Sequence, residues 1–278
     1  MGKLSLGLAV CAVTLMTSAT ADPRAEGPRP VRYQSFKLGN ATYHSVIADL
    51  QSDRVSVRAV HSKSLTSSWN LVKKSEPVAA LTGTFFAPSC GRPVADVLVD
   101  GELVAQGQRG SVVAIDWFGK VHIFDTQFRK KIDWFEYRYA VRGAVRIMTN
   151  GKINPNPKAQ KFRDARIWGR AARTAAGTTR DGKLVLLATP NSVTLSQLAA
   201  AARKVGVVNA VALDGGGSTC LYYRGSMVIK TQRKLSNMLV LHEANPRVGA
   251  DEARLMQIQA LREERSMRQT QVARNMRP

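Results

Sequence analysis

Acidic side chains are scarce in this 278-residue chain: 20 Asp+Glu stand against 41 Lys+Arg, a formal net charge of +21. The imbalance implies anionic partners but does not say which. Cysteine is nearly absent, with three residues, which excludes a cystine-stapled small fold. Histidine is confined to His44, His61, His122 and His242, with no His-x-x-x-His pair, so no zinc site is expected, and no cofactor either. Aromatic residues make up only 6%, and the basic stretches carry no nucleic-acid-reading motif, so no specific nucleic-acid partner is expected. Beyond the first residues no apolar run reaches the length of a membrane span. What is present is a 44% hydrophobic content, enough apolar side chain to offset the ordering entropy of a globular core.

The ends differ from the middle. Residues 1–21 have the pattern of a signal peptide: Lys3, an apolar stretch from Leu4 to Met16, and Ala19-Thr20-Ala21 ahead of Asp22. Lipidation at Cys11 fits less well, because Val10 is bulky for the residue before a lipidated cysteine. The expected location is therefore outside the cytoplasm, periplasmic or secreted, with no transmembrane segment after cleavage. Residues 22–39 read as a lead-in, 40–247 as one domain, and 248–278 as an Arg-rich tail, either a solvated helix or disordered. The tail's six Arg are offset by four acids, so the net charge comes from elsewhere; residues 129–180, with 14 Lys+Arg against three acids, contribute more. That stretch reads as a solvated face, or more sharply as a surface toward polyanions. Export leaves Cys90 and Cys220, which form one disulfide or remain two separate buried thiols.

The core reads as an α+β fold, hairpin-rich, with mixed or antiparallel sheets and few helices. Arg54 to His61 alternates as a half-buried strand, and Pro77 to Phe86 is nearly continuous apolar chain. Asp100-Gly101, Asn150-Gly151 and Asp181-Gly182 mark hairpin turns, and Ser111 to Phe124 folds back around Gly119. Thr66 to Ser75 is a short helix candidate. Thr194 to Val205 is the better one, with Thr194 as cap and Gly206 as stop.

The most informative segment is Ala210 to Thr219, a strand that runs into Asp214-Gly215-Gly216-Gly217-Ser218-Thr219. Successive glycines are costly to order and fit a backbone that must approach a ligand or take positive φ. Their N–H groups can form an anion cradle, with Ser218 and Thr219 as hydroxyl donors. A carboxylate at a strand end, Asp214, can act as acid, base or hydroxyl acceptor. An ordinary Gly-rich loop, with Asp214 making a turn hydrogen bond, is the alternative. No Lys follows as a Walker loop requires.

Leu213 to Thr219 resembles the Leu-Asp-Gly-Gly-Gly-Ser-Thr signature of the phosphodiester glycosidases, whose animal member removes N-acetylglucosamine from mannose 6-phosphate tags. Leu81 to Phe86 is similar to that family's Asn-Gly-Gly-Phe-Phe strand end, with Thr82 and Thr84 in place of Asn and Gly. Arg173-Thr174-Ala175-Ala176-Gly177 is similar to its Arg-Thr-Ala-x-Gly strand. Arg233 to Val240 resembles its closing Arg-x-x-x-Asn-x-Leu stretch, with Arg233 and Asn237 in place. The likeness spans about residues 40–242.

The resemblance implies hydrolysis of the glycosidic bond of a sugar-1-phosphodiester, such as a GlcNAc-1-phosphodiester, in a glycan or envelope polymer. Asp214 and Arg173 are the expected catalytic pair, Asp214 as nucleophile, as base or as a structural acceptor that holds the loop, and Arg173 offering a fork for phosphate oxygens. Thr82, Gly83, Thr84, Thr174, Gly215, Gly216, Gly217, Ser218, Thr219, Arg233 and Asn237 are the expected substrate-binding positions. A glycosidase usually has a second carboxyl group; Asp96 and Glu102 are the candidates. Convergence of the two motifs on one pocket also implies a Cys90–Cys220 disulfide. Two other readings remain: a non-catalytic binder of anionic glycan on the same fold, and a nonspecific polyanion or nucleic-acid binder.

Overall fold

A computed structural model describes residues 29–243, apart from 53 and 144, and residues 256–264, 266 and 267. The leader expected at 1–21 and most of the 248–278 tail lie outside the described residues. The chain opens with β1 (Val31–Leu38), β2 (Ala41–Ala48), β3 (Val55–Thr66), α1 (Ser68–Ser75) and β4 (Ala79–Thr82). The hairpins β5 (Val97–Val99), β6 (Glu102–Ala105), β7 (Val112–Asp116) and β8 (Val121–Phe124) follow, then β9 (Tyr137–Arg142), β10 (Val145–Thr149), β11 (Lys152–Ile153) and α2 (Ala165–Trp168). Last come β12 (Ala171–Thr179), β13 (Leu184–Val193), α3 (Leu195–Lys204), β14 (Val207–Ala212), β15 (Leu221–Tyr223), β16 (Ser226–Ile229) and β17 (Leu235–Glu243).

These strands form a seven-stranded sheet in the order β1-β2-β13-β12-β14-β10-β11 and two five-stranded sheets, β16-β15-β4-β17-β3 and β6-β5-β9-β7-β8. The strand pairings within them are antiparallel. The hairpin-rich α+β expectation therefore holds. Asp100 and Gly101 both take positive φ (54° and 83°), as do Asn150 and Gly151 (49° and 79°). This is the twist-matched two-residue turn that Asx-Gly favours. A hairpin of the same kind, with Arg224 and Gly225 at φ 40° and 85°, joins β15 to β16.

One apolar core gathers Val46, Leu186 and Val211 from the seven-stranded sheet, Val57, Leu81 and Leu239 from the second, and Val97, Val113 and Val141 from the third. The helices cover outer faces. α3 buries Leu195, Leu198, Ala199, Ala201 and Ala202 against the seven-stranded sheet; it starts with a Thr194–Gln197 capping box and is followed by Gly206 at φ 85°. α1 is capped by Ser67 and buries Leu71 and Val72 beside Ala80 and Met238 of the second sheet.

The tail departs from expectation where it is described. Residues 256–264 are helical, but this helix is anchored rather than solvated. Ile258 is fully buried. The Arg262 guanidinium lies 4.7 Å from the Phe118 ring centroid and 3.7 Å from both Asp116, at the end of β7, and Glu136, just before β9. A single buried residue and a stacked arginine hold the helix where a thin apolar stripe alone would not. No helix among the described residues is long and apolar enough to cross a membrane.

Candidate active site

The three sheets exchange strands in one place. The chain leaves the third sheet after Arg142 and enters the seven-stranded sheet at Val145; it leaves that sheet after Ala212 and enters the second at Leu221. The Gly83 carbonyl at the end of β4 accepts the Asp214 N–H (3.0 Å), and Gly143 N–H donates to the Ser111 carbonyl (2.5 Å). A cavity of about 680 Å³ lies at this junction, lined by the 214–217 turn, Phe85, Phe86, Gly143, Phe162, Ile167 and five arginines (109, 166, 170, 173 and 233).

The glycines at the junction are required by close approach. A Cβ on Gly215 would lie 2.7 Å from the Ala172 carbonyl oxygen, and Gly216 takes φ 58°. A Cβ on Gly83 would lie 2.1 Å from Asn237 Oδ1. Residues Gly216–Ser218 form a single 3-10 turn, in which Ser218 and Thr219 N–H groups donate to the Gly215 and Gly216 carbonyls. The first N–H groups of such a turn find no partner within it and face whatever lies at its start.

Asp214 is 4% exposed. Burial pushes its carboxyl up to about 6; the Ser218 hydroxyl, the Arg233 charge and the Gly215 amide oppose that rise. Arg233 donates through Nε to Ser218 Oγ (2.7 Å), and its Nη2 lies 3.7 Å from Asp214 Oδ2. The same guanidinium sits 5.3 Å from the Phe86 ring centroid. Carboxyl, hydroxyl and guanidinium thus form a short relay at the cavity wall. Burial raises the proton affinity of the carboxyl, and a cation lies beside it.

Around this centre the expected catalytic and substrate-binding residues divide. Gly215, Gly216, Gly217, Asp214, Arg173 and Arg233 line the cavity. Thr82, Thr84, Thr174, Ser218, Thr219 and Asn237 are buried and do not. Thr82 Oγ1 donates to the Ser218 carbonyl (2.5 Å), and Thr174 Oγ1 to the Asp214 carbonyl (2.7 Å). Asn237 accepts from Thr84 N–H (2.6 Å) and donates to the Thr84 carbonyl (3.1 Å), and Thr84 Oγ1 donates to the Arg142 carbonyl. These side chains bind backbone at the junction, so they place the turn. Thr219 Oγ1 is buried without a hydrogen-bond partner among the described residues.

Arg173 is placed differently from a phosphate fork. It is buried, its Nη2 donates to the carbonyls of Arg166 (3.2 Å), Ile167 (3.2 Å) and Gly169 (2.6 Å), and its Nε to that of Val193 (3.5 Å). Burial lowers its pKa. The guanidinium holds α2 and the strand start that follows, which form one cavity wall.

Neither candidate second acid lines the cavity. Asp96 is buried against fully buried Arg142 (3.3 Å) and accepts the Gly107 N–H; Glu102 is exposed on β6. The other carboxylate at the cavity is Asp164, which caps α2 and is held by Arg166 at 2.6 Å. The hydrogen bonds from Arg166 depress its pKa. The disulfide expectation is corrected: both cysteines are free. Cys90 lies exposed on the turn after β4, closed by the Gly91 N–H on the Ala87 carbonyl. Cys220 points into the apolar cluster behind the second sheet, 3.9 Å from Met227 Sδ, and burial pushes its thiol up to about 11. The two motifs do converge, but one thiol lies at the surface and the other in the core.

Arg109, Phe162, Arg166 and Arg170 were not anticipated. Arg166 and Arg170 lie in the basic stretch 129–180 and could have been singled out from it; Arg109 has no local signal.

The family model for phosphodiester glycosidases matches residues 75–242. Among solved structures, the catalytic domain of zebrafish N-acetylglucosamine-1-phosphodiester alpha-N-acetylglucosaminidase, auto-inhibited by its pro-peptide, superposes with a TM-score of 0.66 at 21% identity, over 80% of this chain and 86% of that one. A protein from Synechocystis superposes with a TM-score of 0.59 at 13% identity, over 78% and 64% of the two chains. No curated protein matches the sequence significantly.

Proposed function

The chain belongs to the phosphodiester glycosidase family, and from that premise we propose that it hydrolyses the glycosidic bond of a sugar-1-phosphodiester. The observation that carries the proposal is the pairing of a buried carboxyl held near pKa 6 with Arg233, 3.7 Å away, at the wall of a glycine-lined cavity. The phosphate sits toward Arg233 and the first N–H groups of the Gly216–Ser218 turn, where a cation and a backbone cradle meet. Asp214 takes a proton from water as the water oxygen bonds to the anomeric carbon. The bond from that carbon to the phosphate oxygen breaks, and the phosphate leaves as a monoester of the aglycone, carrying the electron pair. A phosphate leaving group needs little protonation, so one carboxylate suffices. A base titrating near 6 is ionised at neutral pH while keeping appreciable basicity.

The N-terminal sequence pattern supports action outside the cytoplasm, and the charge of +21 supports a substrate within an anionic glycan or envelope polymer. The test is release of free sugar from a panel of GlcNAc-1-phosphodiesters by the parent and by Asp214→Asn. Turnover by the parent and its loss in the variant are expected; equal turnover in both overturns the role of Asp214. The engagement of Asp164 by Arg166 favours a second reading, a binding protein without hydrolysis. Saturable binding with no release of sugar over time identifies it.

A further inference from the structure

The cavity at Asp214 shares Arg109 and Phe162 with a second cavity of about 760 Å³. Arg129, Lys158, Lys161 and Arg163 line the second one, and no acidic residue is among the described residues that line it. Arg109 is fixed between the two. It donates through Nη1 to the Lys161 carbonyl (2.8 Å) and stacks on Phe128, its guanidinium 5.2 Å from the ring centroid. Arg129 stacks on the same ring at 5.1 Å, so a half-exposed aromatic face stands between two cations. Trp168 lines this cavity too, and its indole N–H is buried with no acceptor among the described residues.

One phosphodiester carries one negative charge, and the first cavity alone presents Arg233 with four further arginines. A second group of cations beyond it serves no purpose for a single diester. It fits an anion that repeats along a chain, with uncharged units between charges that can lie on Phe128 and offer oxygen to Trp168. We propose that the second cavity binds further units of the same substrate molecule, so that the substrate is a polymer of sugars joined through phosphodiesters rather than an isolated diester. The proposal rests on the hydrolase reading for the identity of the repeating unit.

The test uses Asp214→Asn protein, so that ligand is not consumed, with the synthetic methyl diester of GlcNAc-1-phosphate as monomer and a methyl-capped hexamer of GlcNAc-1-phosphodiester units as probes. The hexamer should bind more tightly than the monomer. Adding Lys158→Ala and Arg163→Ala should weaken hexamer binding about tenfold, lower its salt dependence by about two counterions, and leave monomer binding unchanged. A matched pair on another basic surface, Arg32→Ala and Arg180→Ala, should change neither. Equal binding of monomer and hexamer, or equal loss with the matched pair, overturns the proposal. Equally tight binding of a single-stranded oligonucleotide of the same charge overturns the sugar-polymer class and leaves a polyanion surface. If the parent protein turns over no diester while these binding results hold, the hydrolase reading fails and the polymer site stands.

Discussion

Arg233 Nη2 lies 3.7 Å from Asp214 Oδ2, although the two residues are carried by different sheets. Asp214 follows β14 of the seven-stranded sheet and Arg233 precedes β17 of the second, so the pair exists only when both sheets are in place.

The carboxyl of Asp214 is raised from the ordinary value of about 4 to about 6, so the folded chain binds its proton more tightly than the unfolded chain. Stability from this group is present below about pH 4 and is lost as pH rises through about 6. Asp214→Asn should therefore melt above the parent at pH 7, with the gap closing toward pH 4, in paired thermal denaturation curves. If Asp214 acts as base, kcat/KM should rise with pH through about 6.

Arg233 and Arg173 should separate in their effects. Arg233→Ala removes a half-exposed cation beside the carboxyl and should lower kcat/KM about 100-fold with little change in melting temperature. Arg173→Ala strips donors from the carbonyls of Arg166, Ile167, Gly169 and Val193 and should cost about 2–3 kcal/mol of stability. Arg173→Lys should restore little of it, because an ammonium lacks the planar fork.

Gly83→Ala should destabilise by more than about 2 kcal/mol in urea titration. Its Cβ would lie 2.1 Å from Asn237 Oδ1, and Asn237 cannot retreat without losing both of its bonds to Thr84.

Asp96 and Glu102 should differ in stability and not in chemistry. Asp96→Ala leaves Arg142 charged, buried and unpaired, which should cost about 3–5 kcal/mol; Glu102→Ala should stay within about 0.5 kcal/mol. Glu102→Ala should leave the turnover number unchanged in the diester assay.

Alkylation of the folded protein followed by peptide mapping should modify Cys90 and spare Cys220 until denaturant is added. The exposed thiol is accessible, and the buried one is both covered and shifted toward the protonated form.

The parts of the fold that sequence revealed are those governed by local chemistry. Asp100-Gly101 and Asn150-Gly151 announce their turns because Asx and Gly accept positive φ; the Arg224-Gly225 turn has the same backbone but no such first residue to announce it. Thr194 and Gly206 frame α3 by capping rules. At the site, Asp214 and the glycines were legible because three adjacent glycines are costly unless backbone must pass closely. Arg173 was legible as a motif residue but not as a backbone anchor, since its partners lie in α2 and β13. Arg109 reaches the cavity from a loop whose position depends on the buried Asp96–Arg142 pair and the Gly107 N–H, a tertiary arrangement with no sequence period. The disulfide failed for a related reason: convergence of two chain segments does not fix which way a side chain leaves them.

Because the strand exchange at residues 213–220 places one half of the charged pair on each sheet, a ligand that touches both acts as a rivet across a seam. Its binding energy is stored in the adhesion of the two sheets as well as in the pocket. Occupancy should then slow hydrogen exchange in β14 and β17 together, strands that are not neighbours in either sheet.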